Sequence, residues 1–275
     1  MVICYHTKVW LLSCKLSKNT NKNLIKTEEQ IEGIAASGAI LNRALGRLQK
    51  AAKEGVKLSF LDKLAYDLIT DEGGVPSFLH YRPEGASEPY PASICASVNN
   101  IVVHGIPRDY VLRAHDVLKL DLGVNLDGYF SDSATTVFVG DEKEMPKEIK
   151  RLIDGTKIAL EEAIKVSIIG NSLGDIGWAI EKTANKFKLS IAEGLSGHGV
   201  GLAVHEDPFV WNFGNPKTGM KLREGMVLAI EPMFALGEGE IVSLSDGSYA
   251  TEDGSIAAHF EHTISISKSG PVILT

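Results

Sequence analysis

Five side chains able to ligate a cation stand in contexts that look built to present them. Asp121 lies in Val117-Leu118-Lys119-Leu120-Asp121-Leu122-Gly123, and Asp132 in Gly128-Tyr129-Phe130-Ser131-Asp132. His198 lies in Gly197-His198-Gly199-Val200-Gly201, Glu231 in Ala229-Ile230-Glu231-Pro232, and Glu261 in Phe260-Glu261-His262-Thr263. Four hard oxygen donors and one imidazole suit a divalent metal centre, with two ions sharing carboxylates. Most of the 35 acidic residues must be solvated surface. Asp121 and Glu231, however, interrupt apolar runs that read as buried strands. A carboxylate in such a run must be paired or coordinate a metal.

Strand geometry tightens the first pair. A two-residue hairpin turn at Asp127-Gly128 sets residue 126 opposite 129, 123 opposite 132 and 121 opposite 134. Asp132 then faces Gly123, on the same side as Asp121, because alternate residues of a strand share a face. The two carboxylates become diagonal cross-strand neighbours, roughly 7–8 Å apart at the backbone. A slip of one residue would send them to opposite faces, so the metal reading depends on this turn.

The elements that must position these residues follow from periodicity. Thr27-Glu28-Glu29-Gln30 matches a capping box and opens a helix with Ile31, Ile34, Ala35, Ile40, Leu41, Leu45 and Leu48 inward. A second helix runs from about Phe60 to Asp71 and stops at Gly73-Gly74. Strands are expected at Ser93–Val98, Val117–Val124 and Tyr129–Val139. Helices at about Lys147–Ile168 and Ser172–Phe187 then repeat the scheme, before strands at Met226–Phe234, Glu240–Ser243 and Ala257–Ile266. Gly55-x-x-Leu58-x-x-Leu61 returns as Gly170-x-x-Leu173-x-x-Ile176, each time between a long helix and a shorter one. With the repeated helix-helix-strand order, this points to a duplication: an α+β fold in which a curved, mostly antiparallel sheet is backed by two pairs of helices. The halves span about 25–140 and 141–275, and ligands from both meet near a pseudo-twofold axis.

Composition bounds the function. A chain of 275 residues, 44% hydrophobic, can bury one sizeable core near the upper end for a single domain. A net charge of −7 leaves no electrostatic footprint for sequence-specific nucleic-acid binding. Three widely spaced cysteines, Cys4, Cys14 and Cys95, argue against a disulfide framework and for a reducing compartment. No apolar run reaches the roughly 18 residues of a membrane span, so a cytoplasmic protein is expected. Residues 1–24 are expected to form a disordered tail. Lys8 and His6 interrupt its apolar run, which makes a poor signal peptide, and Leu11-Leu12-Ser13-Cys14 only faintly matches a lipoprotein cleavage box.

The ordered set of motifs resembles the type I methionine aminopeptidases over about Ile25 to Leu274. It comprises Asp121 and, eleven positions on, Asp132, then Gly197-His198-Gly199-Val200-Gly201, Val204-His205-Glu206-Asp207-Pro208, Ile230-Glu231-Pro232-Met233 and Phe260-Glu261-His262-Thr263. Asn99-Asn100-Ile101-Val102-Val103-His104-Gly105-Ile106-Pro107 belongs to the same match. The resemblance implies the pita-bread fold, two divalent ions (Co, Mn, Fe or Zn), and removal of N-terminal methionine from nascent polypeptides with a small second residue. In that family Asp121 would chelate one ion, His198 and Glu231 the other, with Asp132 and Glu261 bridging. A water held between two such ions ionises near neutral pH, and Glu231 would take its proton. His205 would bind the scissile carbonyl oxygen and His104 would lie near the peptide nitrogen, stabilising charge where it develops.

Tyr90 and Cys95 match the family's methionine pocket, an apolar slot with polarizable contact for a thioether. Val204 and the Ser248-Tyr249 region stand where aromatic residues are common, and the loop at 82–89 borders the pocket. The other histidines, His6, His80, His115, His259 and His262, read as structural. A monomer is the default, with docking at the ribosome compatible with the activity. A non-catalytic relative that binds RNA or protein would have lost ligands, whereas all five are present. A proline-specific peptidase of the same fold is disfavoured by His262-Thr263 after Glu261.

Overall fold

The computed structural model describes residues 24–82 and 88–275. The expectations for the amino-terminal tail, including Cys4, His6 and Cys14, and for most of the 82–89 loop fall outside the described residues. The chain begins with helix α1 (Glu28–Ala51) and helix α2 (Leu58–Asp71), followed by strands β1 (Val75–Pro76), β2 (Cys95–Val98), β3 (Ile101–Val103), β4 (Val117–Leu126) and β5 (Tyr129–Phe138). After a 3-10 turn at Glu142–Glu144, helices α3 (Lys147–Val166) and α4 (Leu173–Phe187) precede β6 (Ser190–Ile191), β7 (Ser196–Gly199) and β8 (Glu206–Trp211). The last strands are β9 (Val227–Ile230), β10 (Met233–Ala235), β11 (Ile241–Ser243), β12 (Tyr249–Thr251), β13 (Ala257–His259), β14 (His262–Ser267) and β15 (Gly270–Ile273).

Local chemistry accounts for the helix ends. The Thr27 hydroxyl accepts from the Gln30 N–H at 3.2 Å and the Gln30 side chain accepts from the Thr27 N–H at 2.9 Å, satisfying two donors that the first turn leaves open. Asp175 does the same work for α4 by accepting from the Ser172 N–H and hydroxyl. Strand β2 starts two residues later than the expected Ser93, because the Ser93 and Ile94 N–H groups donate to the Asp62 carboxylate of α2 and are lost to the ladder.

All strand pairs among the described residues are antiparallel. Strand β4 is flanked by β1 and β2 on one edge and β5 on the other, and the second large sheet runs β15-β14-β9-β7-β8. Two small sheets, β13-β10-β6 and β11-β12-β3, complete the set. Leu118, Leu120, Leu122 and Val124 of β4 pack with Leu41, Leu48, Leu61 and Ile69 of α1 and α2. Leu228, Ile230 and Ile264 pack likewise with Leu152, Leu160, Ile176 and Ile180 of α3 and α4. The even positions of β4 thus face helices, which leaves its odd positions, Lys119, Asp121 and Gly123, for the opposite side.

Two expected strands are each broken in the middle. The run Met226–Phe234 divides at Glu231-Pro232 into β9 and β10, and Ala257–Ile266 divides at Phe260-Glu261 into β13 and β14. Pro232 has no N–H to continue a ladder. The breaks lie beside each other: Ile230 pairs with His262 on one side and Met233 with His259 on the other. Both runs change sheets at the same place, and each carries a glutamate at the change.

Candidate metal centre

The hairpin register is the one the Asp127-Gly128 turn dictates. Gly123 pairs with Asp132, Asp121 with Ala134 and Leu126 with Tyr129, and both turn residues have positive φ, 53° and 88°. Gly123 lets β4 pack closely on the Ser77-Phe78 segment, since a Cβ there would lie 2.1 Å from the Ser77 hydroxyl. His198 is flanked by glycines for a similar reason. A Cβ on Gly197 would meet the Ala229 carbonyl at 2.3 Å and one on Gly199 the Asp207 carbonyl at 2.1 Å, so only bare backbone lets β9 and β8 close around the histidine.

Asp121, Asp132 and Glu261 bring one ligand atom each to within 4.8 Å of one another, and so do His198, Glu231 and Glu261. A third such group joins Asp132, His198 and His205. Glu261 is shared by the first two groups, so the five residues form two adjoining clusters. His198 Nε2 lies 3.6 Å from Glu231 Oε1 and 3.9 Å from Asp132 Oδ2. His198 Nδ1 is 2.9 Å from the Gly199 carbonyl; that acceptor requires the proton on Nδ1 and leaves the Nε2 lone pair aimed at the carboxylates.

The backbone around the acids is clamped. Asp132 N–H donates to the Thr263 hydroxyl, which donates back to the Asp132 carbonyl. Ser133 Oγ donates to the Glu261 carbonyl at 2.6 Å, and the Glu261 N–H to Ala134 at 2.9 Å. The carboxylates themselves are left open: Asp121 Oδ1, Asp132 Oδ1 and Glu261 Oε1 are buried without a hydrogen-bond donor. Orphaned buried oxygens from three carboxylates, beside a fourth acid and an imidazole lone pair, fit the binding of divalent metal.

Electrostatics agrees. Burial pushes Asp121 up to about 7, a rise opposed by His259 and increased by Glu231. Burial likewise raises Glu231 to about 7. Asp132 and Glu261 are held well above the usual carboxylate range, first by burial and then by neighbouring acids, Asp121 for the former and Asp132 for the latter. Without cations the cluster holds protons in their place.

His205 sits beside the cluster, its ring edge-on to His198 with centroids 4.5 Å apart. Part of it is exposed, yet loss of hydration, then His198 and His104, keep it well below the ordinary imidazole range. Its Nδ1 is 2.9 Å from the Tyr81 hydroxyl. His104 follows β3 with φ of 60°, a conformation that costs a side-chain residue energy, and rests edge-on to Tyr249. Although part of the residue is exposed, loss of hydration at the ring, then His259, pushes it down to about 4. Tyr90 and Cys95 meet Phe78, Tyr81, Phe130 and Val204 in one apolar cluster, and the Tyr90 hydroxyl lies 3.0 Å from the carbonyls of Ile94 and Gly105. Tyr249 belongs instead to the cluster of Val102, Val103 and Met233.

Three site neighbours were not legible as such. Tyr81 stands just before a loop of unreadable effect, and Phe78 and Phe130 look like ordinary core. His259, expected to be structural, lies 1% exposed with Nε2 3.3 Å from Glu231 Oε2. Its signal was the two-residue spacing to Glu261, the period of a strand.

A dense carboxylate-imidazole cluster at the junction of antiparallel sheets backed by helix pairs defines a cation-dependent enzyme of the pita-bread class. The model of Metallopeptidase family M24 matches residues 32–268, and the chain belongs to that family. A protein of Clostridium acetobutylicum named methionine aminopeptidase is 41% identical over 92% of this chain and 98% of its own length. One of Aquifex aeolicus with the same name is 42% identical over 90% of this chain and 97% of its own. The crystal structure of methionine aminopeptidase from Rickettsia prowazekii superposes with a TM-score of 0.86 at 35% identity, covering 91% of this chain and 98% of that one.

Proposed function

We infer that this protein is a methionine aminopeptidase, a metalloexopeptidase that hydrolyses the N-terminal methionine from nascent polypeptides with a small second residue. The observation that carries the reading is the pair of adjoining clusters sharing Glu261, in a chain collinear with relatives of that name. Residues 25–275 act as one catalytic unit of two related halves, about 25–140 and 141–275. It works as a monomer in the cytoplasm on chains leaving the ribosome; the buried free thiol of Cys95 is in keeping with a reducing compartment, and among the described residues no helix is long and apolar enough to cross a membrane.

Asp121, Asp132 and Glu261 would hold one divalent ion, and His198, Glu231, Asp132 and Glu261 the second. Two ions of Mn, Fe, Co or Zn supply Lewis acidity and a water acidic enough to act as nucleophile near neutral pH. Glu231 would take up the proton of the nucleophilic water and deliver it to the leaving amine. His205, with Nδ1 engaged by Tyr81, directs Nε2–H at the scissile carbonyl oxygen as charge develops there, and His104 faces the peptide nitrogen. Tyr90, Cys95, Phe78 and Val204 receive the methionine side chain, whose thioether suits such polarizable apolar walls.

The test is hydrolysis of Met-Ala-Ser and of Xaa-Pro peptides by metal-stripped protein with Mn, Co, Fe or Zn restored. Metal-dependent release of methionine, lost in Asp132→Asn, is expected. Cleavage of the Xaa-Pro peptides alone would overturn the substrate assignment, and no cleavage of either would overturn the enzymatic one.

A further inference from the structure

His259 is a second imidazole against the centre, and nothing in the proposed chemistry uses it. Its backbone is strapped to β5, the N–H donating to Thr136 Oγ1 at 2.9 Å and the carbonyl accepting from it at 2.7 Å, and β13 pairs it with Met233 beyond the Glu231-Pro232 break. The ring is fully buried, yet neither nitrogen has a well-aligned hydrogen-bond partner. Leaving two polar nitrogens dry and unpaired is costly. Nε2 lies 3.3 Å from Glu231 Oε2, close but out of line, while Glu231 Oε1 faces His198 Nε2 at 3.6 Å. The glutamate is thus held between two imidazoles, one on each oxygen.

We propose that His259 is a positioning residue for the cation centre: its Nε2–H donates to Glu231 Oε2 and turns Oε1 toward the ion shared with His198. The inference rests on the metal-site reading above. A carboxylate ligand has two oxygens, and the one not given to the cation must be satisfied or it swings into competition. In this chain the donor comes from across the sheet change, on the strand that ends two residues before Glu261, so a single short strand sets the direction of two ligands.

The experiment titrates metal-stripped wild type, His259→Leu and His259→Gln with Co(II), following visible absorption and calorimetric stoichiometry, with thermal melts to verify folding. Loss of an outer donor typically costs a metal site about 10–100-fold in affinity; that loss at one of two sites, with an altered Co(II) spectrum, is expected for His259→Leu. His259→Gln, whose amide N–H reaches a similar distance, is expected to restore most of the affinity and the spectrum. Wild-type binding indistinguishable from His259→Leu would overturn the positioning role and leave the metal site standing. Equal weakness of folded Leu and Gln variants would overturn the donor assignment. Failure of wild type to take up Co(II) would instead overturn the metal reading beneath it.

Discussion

A histidine that stabilises developing charge through Nε2–H must carry its proton on that nitrogen, and Nδ1 must then accept. The Tyr81 hydroxyl, 2.9 Å from His205 Nδ1, can donate to it and so suits the tautomer that carries its proton on Nε2. His205→Ala is expected to lower kcat about 10²–10³-fold, as for loss of one oxyanion donor, with metal stoichiometry unchanged. Tyr81→Phe removes one hydrogen bond, worth about 1 kcal/mol net, and should cost kcat tenfold or less. Steady-state kinetics with calorimetric metal counts checks both; an equal loss in the two variants would mean that Tyr81 shapes the pocket rather than the tautomer.

The elements that carry these residues are held by close approach and by buried charge. Lys26 pairs with Glu206 where both side chains are almost wholly buried, 1% and 7% exposed, and Glu206 accepts from the N–H groups of Leu202 and Ala203. The segment before α1 is thereby tied to the turn that ends in His205. Removing one partner of a buried pair leaves an uncompensated charge, so Lys26→Met should destabilise the protein by about 3–5 kcal/mol and lower kcat more than it raises KM. Urea unfolding and kinetics read the two effects. Gly199→Ala places a methyl 2.1 Å from the Asp207 carbonyl. Overpacking of this kind costs about 1–3 kcal/mol, and the displacement of β8 should appear as weakened metal binding at His198.

Across the whole molecule the acid cluster sets a pH dependence. Asp121 and Glu231, each pushed up to about 7 from ordinary values of 3.8 and 4.5, bind protons more tightly folded than unfolded. Their contribution to stability is present at pH 4 and is lost as pH rises through 7. Metal-free protein should therefore lose this part of its stability between about pH 4.5 and 7, while cations, which compete with those protons, bind more tightly over the same range. The rise in Tm on adding saturating Mn(II) or Co(II) is expected to grow from pH 5.5 to 8; a constant rise would show that the acids are not exchanging protons for metal.

Much of this was written in local sequence. Thr27 and Gln30 cap a helix three residues apart, and Asp127-Gly128 admits the positive φ of a tight turn; with the turn set, Gly123 must face Asp132 and both acids must share a side. Such features depend on neighbours within a few positions, so residue type and spacing determined them, together with the family to which the ordered motifs belong. Pro232, with no N–H for a ladder, marks the break at Glu231-Pro232 locally, but the break at Phe260-Glu261 was not legible, because Ala257–Ile266 holds neither proline nor glycine and would extend as one strand if alone. The breaks exist because two sheets meet there, β9 on β14 and β10 on β13, and only that junction sets Glu261 among acids from strands more than a hundred residues earlier. His259 beside Glu231, Tyr81 beneath His205 and the pocket walls Phe78 and Phe130 belong to the same class. Their partners lie far away in sequence, and side-chain packing between sheets, which periodicity does not encode, decided which of them reach the centre.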